Sequence, residues 1–326
     1  MHPKTRIIAV TGAAGFIGSH VCEKLLERGY GVIAIDNLSK GNETNIEKLF
    51  QNKRFQYIKA DITDPKIANK YFRNVDAVIH LAAAKIPRYG GRFETLITNS
   101  EGTKNILEAV KSNKSKFIFA STSDVYGKNP KLPFREDSDL VIGPPEVARW
   151  AYAVSKIFDE HLCYAYWEKY KIPFVILRFF GVYGPKQHRS WWGGPQSLFI
   201  DKLLTNESIE IHGSGKQTRT FIYIDDLVNA IIKSLESKKA CGHVLNVGST
   251  QEISIIDFAK VLSKLIKAGL KIKKVPYSSF TGKKYEDVTK RVPDISKAKK
   301  ILNWKPIVNI REGLTRTIAW HRNNPA

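Results

Sequence analysis

An apolar run from Arg6 to Thr11 gives way at once to Gly12-Ala13-Ala14-Gly15-Phe16-Ile17-Gly18, which opens a stretch of helical periodicity lasting to about Arg28. A strand that must turn into a helix through glycines spaced GxxGxxG has few folds open to it. Gly12 allows the tight turn, Gly15 lets the backbone come up to a pyrophosphate at the helix N-terminus, and Gly18 lets the helix lie close on the strand. Ile17, Val21 and Leu25 then recur at a four-residue step, which gives the helix one apolar stripe, and Gly29 is placed to take a left-handed cap. The segment reads as a dinucleotide cradle that includes Phe16 and Ile17.

The same alternation of short apolar runs and amphipathic stretches continues through Val32 to Asp36, Phe55 to Ala60, Ala77 to Ala83, Asn99 to Lys111 and Phe117 to Thr122. This βαβ rhythm predicts an α/β fold, a doubly wound parallel sheet of Rossmann type with helices on both faces. A long helix is predicted from about Trp150 to Tyr170, which lacks Gly and Pro, and Pro173 introduces a strand from Phe174 to Phe179. Its aromatic row, Tyr164, Tyr166, Trp167 and Tyr170, reads as core or dimer interface. Residues 181–220, with Trp191, Trp192, Gly193, Gly194 and Pro195, read as a loop-rich cover over a substrate. A helix (Ile224 to Glu236), a strand (Val244 to Val247), a helix (Ile255 to Ala268) and a basic tail follow. The expected division is a dinucleotide-binding domain over 1–180, with 220–250 returning to it, and a smaller, mainly C-terminal substrate domain from 181–219 and 251–326.

Composition narrows the partners. The 326 residues are 43% hydrophobic and 25% charged, and no stretch supplies the roughly 20 apolar residues of a membrane span. The net charge of +21 favours an anionic partner. The lysines are scattered and lack the interleaved arginines and aromatics of a nucleic-acid module, so a phosphate-bearing small molecule is expected, with no nucleic acid and no membrane. Cys22, Cys163 and Cys241 lie far apart and form no CxxC, which suggests no disulfide framework, no metal site and a reducing cytoplasm.

Asp36 ends the second predicted strand, 18 residues beyond Gly18, where a carboxylate accepts hydrogen bonds from a ribose diol and repels a 2′-phosphate. NAD is therefore expected over NADP, with Asn37 beside Asp36 and with Asp61 and Ile62 flanking the adenine. Tyr152 and Lys156 form a YxxxK that puts both side chains on one helix face. A nearby ammonium lowers the phenol's pKa and lets Tyr152 act as a base near neutral pH, while Thr122, in Ser121-Thr122-Ser123, can complete the relay.

These residues sit in longer matches: VTGAAGFIGSH, HLAA at 80–83, FASTSDVYG at 119–127, YAVSK at 152–156, LRFFGVYGP at 177–185, GSGKQTRTFIYIDDL at 213–227 and RVPDISKAKKILNWKP at 291–306. In that order they resemble the extended short-chain dehydrogenase/reductase family, in its nucleotide-sugar branch. The resemblance implies that Tyr152 takes the proton of a sugar hydroxyl while hydride passes to tightly held NAD, that Lys156 also binds the nicotinamide ribose, and that Leu81, Ala82, Ala83, Asn99 and Ser121 belong to the cofactor site. It further implies a nucleotide-sugar substrate, UDP-linked, held by Ser123, Gln217, Arg219 and Arg291, and a homodimer formed through the helix from Trp150 and the one from about Ser100. One departure stands out: the family's RxFN reads Arg178-Phe179-Phe180-Gly181, without its asparagine.

Branches of this family differ in the fate of the keto-sugar, and the residues after Thr122 carry the choice. Dehydratases resemble one another in an Asp-Glu pair where this chain has Ser123-Asp124, which disfavours a 4,6-dehydratase. UDP-glucuronate decarboxylases share the Thr-Ser-acid order, an Arg three residues before the tyrosine (Arg149) and a tail like Tyr285 and Arg291, but their acid is usually Glu. Asp124 is one methylene shorter, and a 4-epimerase needs no such acid, so the expectation is an epimerase of a UDP-hexose or UDP-hexuronate, with the decarboxylase as the alternative. An NAD-sensing binding protein would need none of Thr122, Tyr152 and Lys156, and all three are present.

Overall fold

A computed structural model describes residues 5–85, 91–191, 193–276 and 288–325; Trp192 and Tyr285 lie outside the described residues. The first half builds β1 (Ile7–Thr11), α1 (Phe16–Glu27), β2 (Gly31–Asp36), β3 (Phe55–Lys59), α2 (Pro65–Tyr71), β4 (Ala77–His80), α3 (Arg92–Val110), β5 (Lys116–Thr122), α4 (Trp150–Tyr170) and β6 (Phe174–Phe179). The second half adds β7 (Gly181–Tyr183), α5 (Pro195–Leu204), β8 (Ile209–His212), β9 (Thr218–Tyr223), α6 (Ile224–Glu236), β10 (His243–Val247), β11 (Glu252–Ser254), α7 (Ile255–Ile266), β12 (Ile272–Val275), α8 (Ser296–Leu302) and α9 (Ile310–Asn323).

Seven strands form one parallel sheet in the order β10-β6-β5-β4-β1-β2-β3. Alternate strand residues feed two cores. Ile8 and Val10 pack with Val21 and Leu25 of α1 on one face, while Ala9, Val78 and Phe117 pack with Ile106 and Val110 of α3 on the other. The chain leaves β1 toward β2 and β3 and returns on its other side as β4, and such a reversal opens a crevice at the strands' carboxyl ends. Thr11, Asp36 and Thr122 end β1, β2 and β5 at that edge.

The segment 181–220 is not mainly loop: it holds β7, α5, β8 and β9. Its strands are three to six residues long and are completed from far along the chain, β9 by β11 and β8 by β12, so no local pattern announces them. The basic tail likewise folds, with α9 burying Leu314 and Ile318. α3 begins at Arg92, seven residues before the predicted start, because packing on α4 overrides the weak helix propensity of Thr95, Ile97 and Thr98. The aromatic row of α4 is half-buried, with Tyr164 exposed: Trp167 and Tyr164 meet Phe174 edge-on, and the Tyr166 hydroxyl donates to Glu108 of α3 at 2.5 Å. The other side of this helix pair leaves Phe93, Leu96, Val154 and Phe158 exposed.

Candidate active site

The turn after β1 is as tight as its glycines require. Gly12 has φ +66°, and a Cβ there would meet Ala82 N at 2.8 Å; a Cβ on Gly18 would come within 2.0 Å of Gly12 O. Gly15 caps α1, so the first-turn amides of that helix are left for an anion. Asp36 accepts from Ala14 N at 3.0 Å and from Leu38 N at 2.8 Å, and burial raises its pKa against these two bonds. Asn37 donates to Asp61 at 2.8 Å, tying the loops after β2 and β3 together.

These loops open into one cavity of about 950 Å³, near the top of the roughly 300–1,000 Å³ usual for one small ligand. One end is lined by the glycine turn with Phe16 and Ile17, by Asp36 and Asn37, by Asp61 and Ile62, and by Leu81, Ala82 and Ala83. This end fits an adenine dinucleotide: the close-packed turn admits a pyrophosphate and Asp36 stands where a ribose diol would lie. Asn99 does not line the cavity. It is buried behind the wall, where it accepts from Ala84 N at 2.8 Å and donates to Ser155 Oγ at 2.9 Å, and so fastens the chain after β4 to α4.

The other end gathers Ser121, Thr122, Ser123, Asp124, Arg149, Tyr152, Lys156, Gln217, Arg219 and Arg291. Thr122 closes β5, and Tyr152 and Lys156 occupy successive turns at the start of α4, so sheet and helix present the three together. Burial and the Asp124 charge raise the Tyr152 phenol's pKa, and a hydrogen bond with Thr122 works against them. Asp124 lies 2.6 Å from Arg291 and 3.5 Å from Arg149. Burial pushes its carboxyl up, but Arg291, Arg149 and Arg219 outweigh that and hold it at about 2. Asp124 thus faces three guanidinium groups, which leaves its immediate surroundings cationic.

Trp191 lines the cavity, as expected of the cover, whereas His212, Gln187 and Gln196 escaped the sequence reading because their segment was taken for loop. Trp191 stacks on His212 with ring centroids 4.3 Å apart, and Gln187 and Gln196 add buried amide oxygens that have no hydrogen-bond partner among the described residues. Gly181, at the place of the family's asparagine, has no room for a side chain, since a Cβ would lie 2.7 Å from Thr220 O. Glu160 was also missed. It accepts Arg178 Nε at 2.9 Å and Arg178 Nη2 at 2.7 Å, together with the Ser121 hydroxyl at 2.5 Å, all in the interior under the site. Removing one charge of a buried pair strands the other, so Glu160→Gln is expected to lower stability by about 3–5 kcal/mol in denaturant titration. A loss within error of zero would contradict that account.

A family model described as GDP-mannose 4,6 dehydratase matches residues 9–317. The chain belongs to that family. Among its relatives is the UDP-N-acetyl-alpha-D-glucosaminuronate decarboxylase of Bacillus cytotoxicus, 37% identical over 315 residues, covering 96% of this chain and 97% of that one. The UDP-glucuronic acid 4-epimerase of Bacillus cereus, solved with UDP-glucuronic acid and NAD, superposes with a TM-score of 0.87 at 35% identity over 97% of this chain and 99% of that one. The UDP-glucose 4-epimerase of Thermotoga maritima, solved with UDP-glucose, gives 0.88 at 30% identity over 98% and 100%. Proteins similar to this chain in sequence and shape thus include both epimerases and a decarboxylase of nucleotide sugars. Among the described residues all three cysteines are free, no group of side chains could hold a metal ion, and no helix is long and apolar enough to cross a membrane.

Asp36 makes a further prediction. The purified protein is expected to bind NAD in preference to NADP, and Asp36→Ala to weaken NAD by about tenfold or more, since hydrogen bonds to a charged group contribute roughly 1.5–3 kcal/mol. Equal affinity of the unmodified protein for both dinucleotides, measured by calorimetry, would contradict the assignment.

Proposed function

We propose that this protein uses NAD to oxidise a UDP-linked hexuronate at carbon 4, decarboxylates it and returns the hydride, releasing a UDP-pentose. The observation that carries the reading is Asp124 clasped by Arg291 and Arg149 in the pocket of Tyr152. The sequence favoured an epimerase because an aspartate is one methylene short of the decarboxylases' usual glutamate. In the folded chain the shorter side chain still engages both guanidinium groups, which supports the decarboxylase reading.

Each residue then has a task. Tyr152 takes the proton of the 4-hydroxyl, with Thr122 orienting the phenol and Lys156 supplying the positive charge that lowers its pKa. NAD, which the glycine turn and Asp36 would hold, would supply the acceptor for the carbon 4 hydride and the donor that returns it to the same carbon. With carbon 4 a ketone, the uronate is a β-keto acid: the C5–C6 bond breaks, its electron pair moves into the ketone as an enolate, and carbon dioxide leaves. Carbon 5 then takes a proton, and the ketone is reduced again. Arg149, Arg219 and Arg291 suit both the diphosphate and the uronate carboxylate, as guanidinium forks match either group. Asp124, ionised at neutral pH, is no proton donor; placed beside the uronate it favours departure of that group as neutral carbon dioxide.

A second reading is supported by the 35% identity to the UDP-glucuronic acid 4-epimerase: the same oxidation, with the ketone turned over and reduced on its other face. Incubation with UDP-glucuronate, UDP-N-acetylglucosaminuronate and UDP-glucose separates the two. Carbon dioxide and a UDP-pentose support the decarboxylase; a UDP-hexuronate or UDP-hexose epimer without gas supports the epimerase. As assembly we propose a homodimer, through the exposed apolar residues Phe93, Leu96, Val154 and Phe158 on α3 and α4.

A further inference from the structure

Behind the reacting groups, α4 carries two charged side chains sealed from water. Lys156 is 2% exposed, and Asp159, three residues on and so on the same helix face, is 0% exposed. Side chains of this kind are almost never buried so deeply unless they are paired and saturated with hydrogen bonds. Glu160, the next residue, meets that rule through Arg178 and Ser121. Asp159 does not. The Thr103 hydroxyl of α3 faces it, yet neither carboxylate oxygen has a hydrogen bond of normal geometry among the described residues. Lys156 Nζ lies over the Phe119 ring of β5, 4.5 Å from its centroid, and Asp159 is the foremost of the charges that favour its protonated form.

We propose that Asp159 is a positioning residue for Lys156: its carboxylate, buried within one helical turn, keeps the lysine charged and held at the floor of the site, ready to act on Tyr152. The inference rests on the reading of Tyr152 and Lys156 given above.

The groups around the pair fix the sign of its effect. On α4 they are Tyr152, Glu160 and Cys163; α3 gives Thr103, and β6 gives Arg178, which Glu160 neutralises. From β4 comes His80, bonded to Thr11 Oγ1 at 2.7 Å and to Thr103 Oγ1 at 3.1 Å and held neutral by burial and by Lys156. Burial drives the lysine's pKa down and the Asp159 anion opposes it. Burial likewise raises the Asp159 carboxyl, while Lys156 pulls it down. Removing the anion therefore lets Lys156 lose its proton at lower pH.

Asp159→Asn tests this, read as the pH profile of kcat/KM and, without substrate, as NAD affinity against pH. The alkaline limb of both is expected to move down by about one pH unit, the smaller end of what a neighbouring charge does, so that activity on that limb falls about tenfold while the plateau is largely kept. A merely structural role would lower activity at every pH and leave the limb in place. A limb at the wild-type position overturns the proposal. Should the amide variant fail to fold, Asp159→Ala, which removes both unpartnered oxygens, is read in the same way. The NAD arm does not depend on which sugar reacts, so a protein that leaves uronates untouched but shows the shift would refute the proposed reaction and not the role of Asp159.

Discussion

Tyr152→Phe is expected to abolish turnover, with a loss of at least the 10²–10⁴-fold that general base catalysis typically contributes, while NAD remains bound. The substitution removes only the hydroxyl that takes the 4-OH proton, and the ring keeps its place in the first turn of α4. In the protein without ligands the phenol is held protonated by burial and by Asp124. Its working state therefore depends on positive charge brought close to it, and Lys156 is the chain's own source. Lys156→Ala should thus impair both NAD binding and turnover, whereas Tyr152→Phe impairs turnover alone. Retention of most activity in Tyr152→Phe would remove the base from the account.

The second large effect is expected at Asp124. Under the decarboxylase reading, Asp124→Asn should cut carbon dioxide release by about 10²-fold or more, in the range of an electrostatic group acting at the reacting centre. Substrate binding should not weaken with it, since Arg149, Arg219 and Arg291 lose a competitor for the uronate and diphosphate. The signature is therefore a fall in kcat with KM unchanged or lower, the pattern of a group that acts in the transition state and not in binding. An epimerase has no carboxylate to expel, and there Asp124→Asn should keep substantial turnover. Measuring both constants on UDP-glucuronate distinguishes the cases.

Much of this was legible in the chain because its chemistry is local. The glycine turn, Asp36 at a strand end and the YxxxK spacing each concern residues a few positions apart, and α4 and β6 fall where absent Gly and Pro, then Pro173, predict them. Contacts made at a distance were not legible. The strands of 181–220 exist because residues 252–254 and 272–275 pair with them, and no window of sequence contains both partners. Asn99 was placed with the cofactor because the pattern marks the residue and not its direction; in the fold it turns to Ala84 and Ser155. Asp124 was judged by its length, while the guanidinium groups that reach toward it are 25 and 167 positions away in the chain. Asp159 gave no signal, since a carboxylate in a helix normally reads as a solvated face.

The central claim is that hydride is lifted from carbon 4 and returned there while carbon 5 loses its carboxylate and takes a proton. Turnover of UDP-glucuronate in D₂O, followed by NMR of the product, tests it directly. The account predicts a UDP-pentose with one deuterium at carbon 5 and none at carbon 4, because the hydride never leaves the site whereas the carbon 5 proton comes from solvent. A UDP-hexuronate without deuterium at either carbon, or a pentose deuterated at carbon 4, would contradict it.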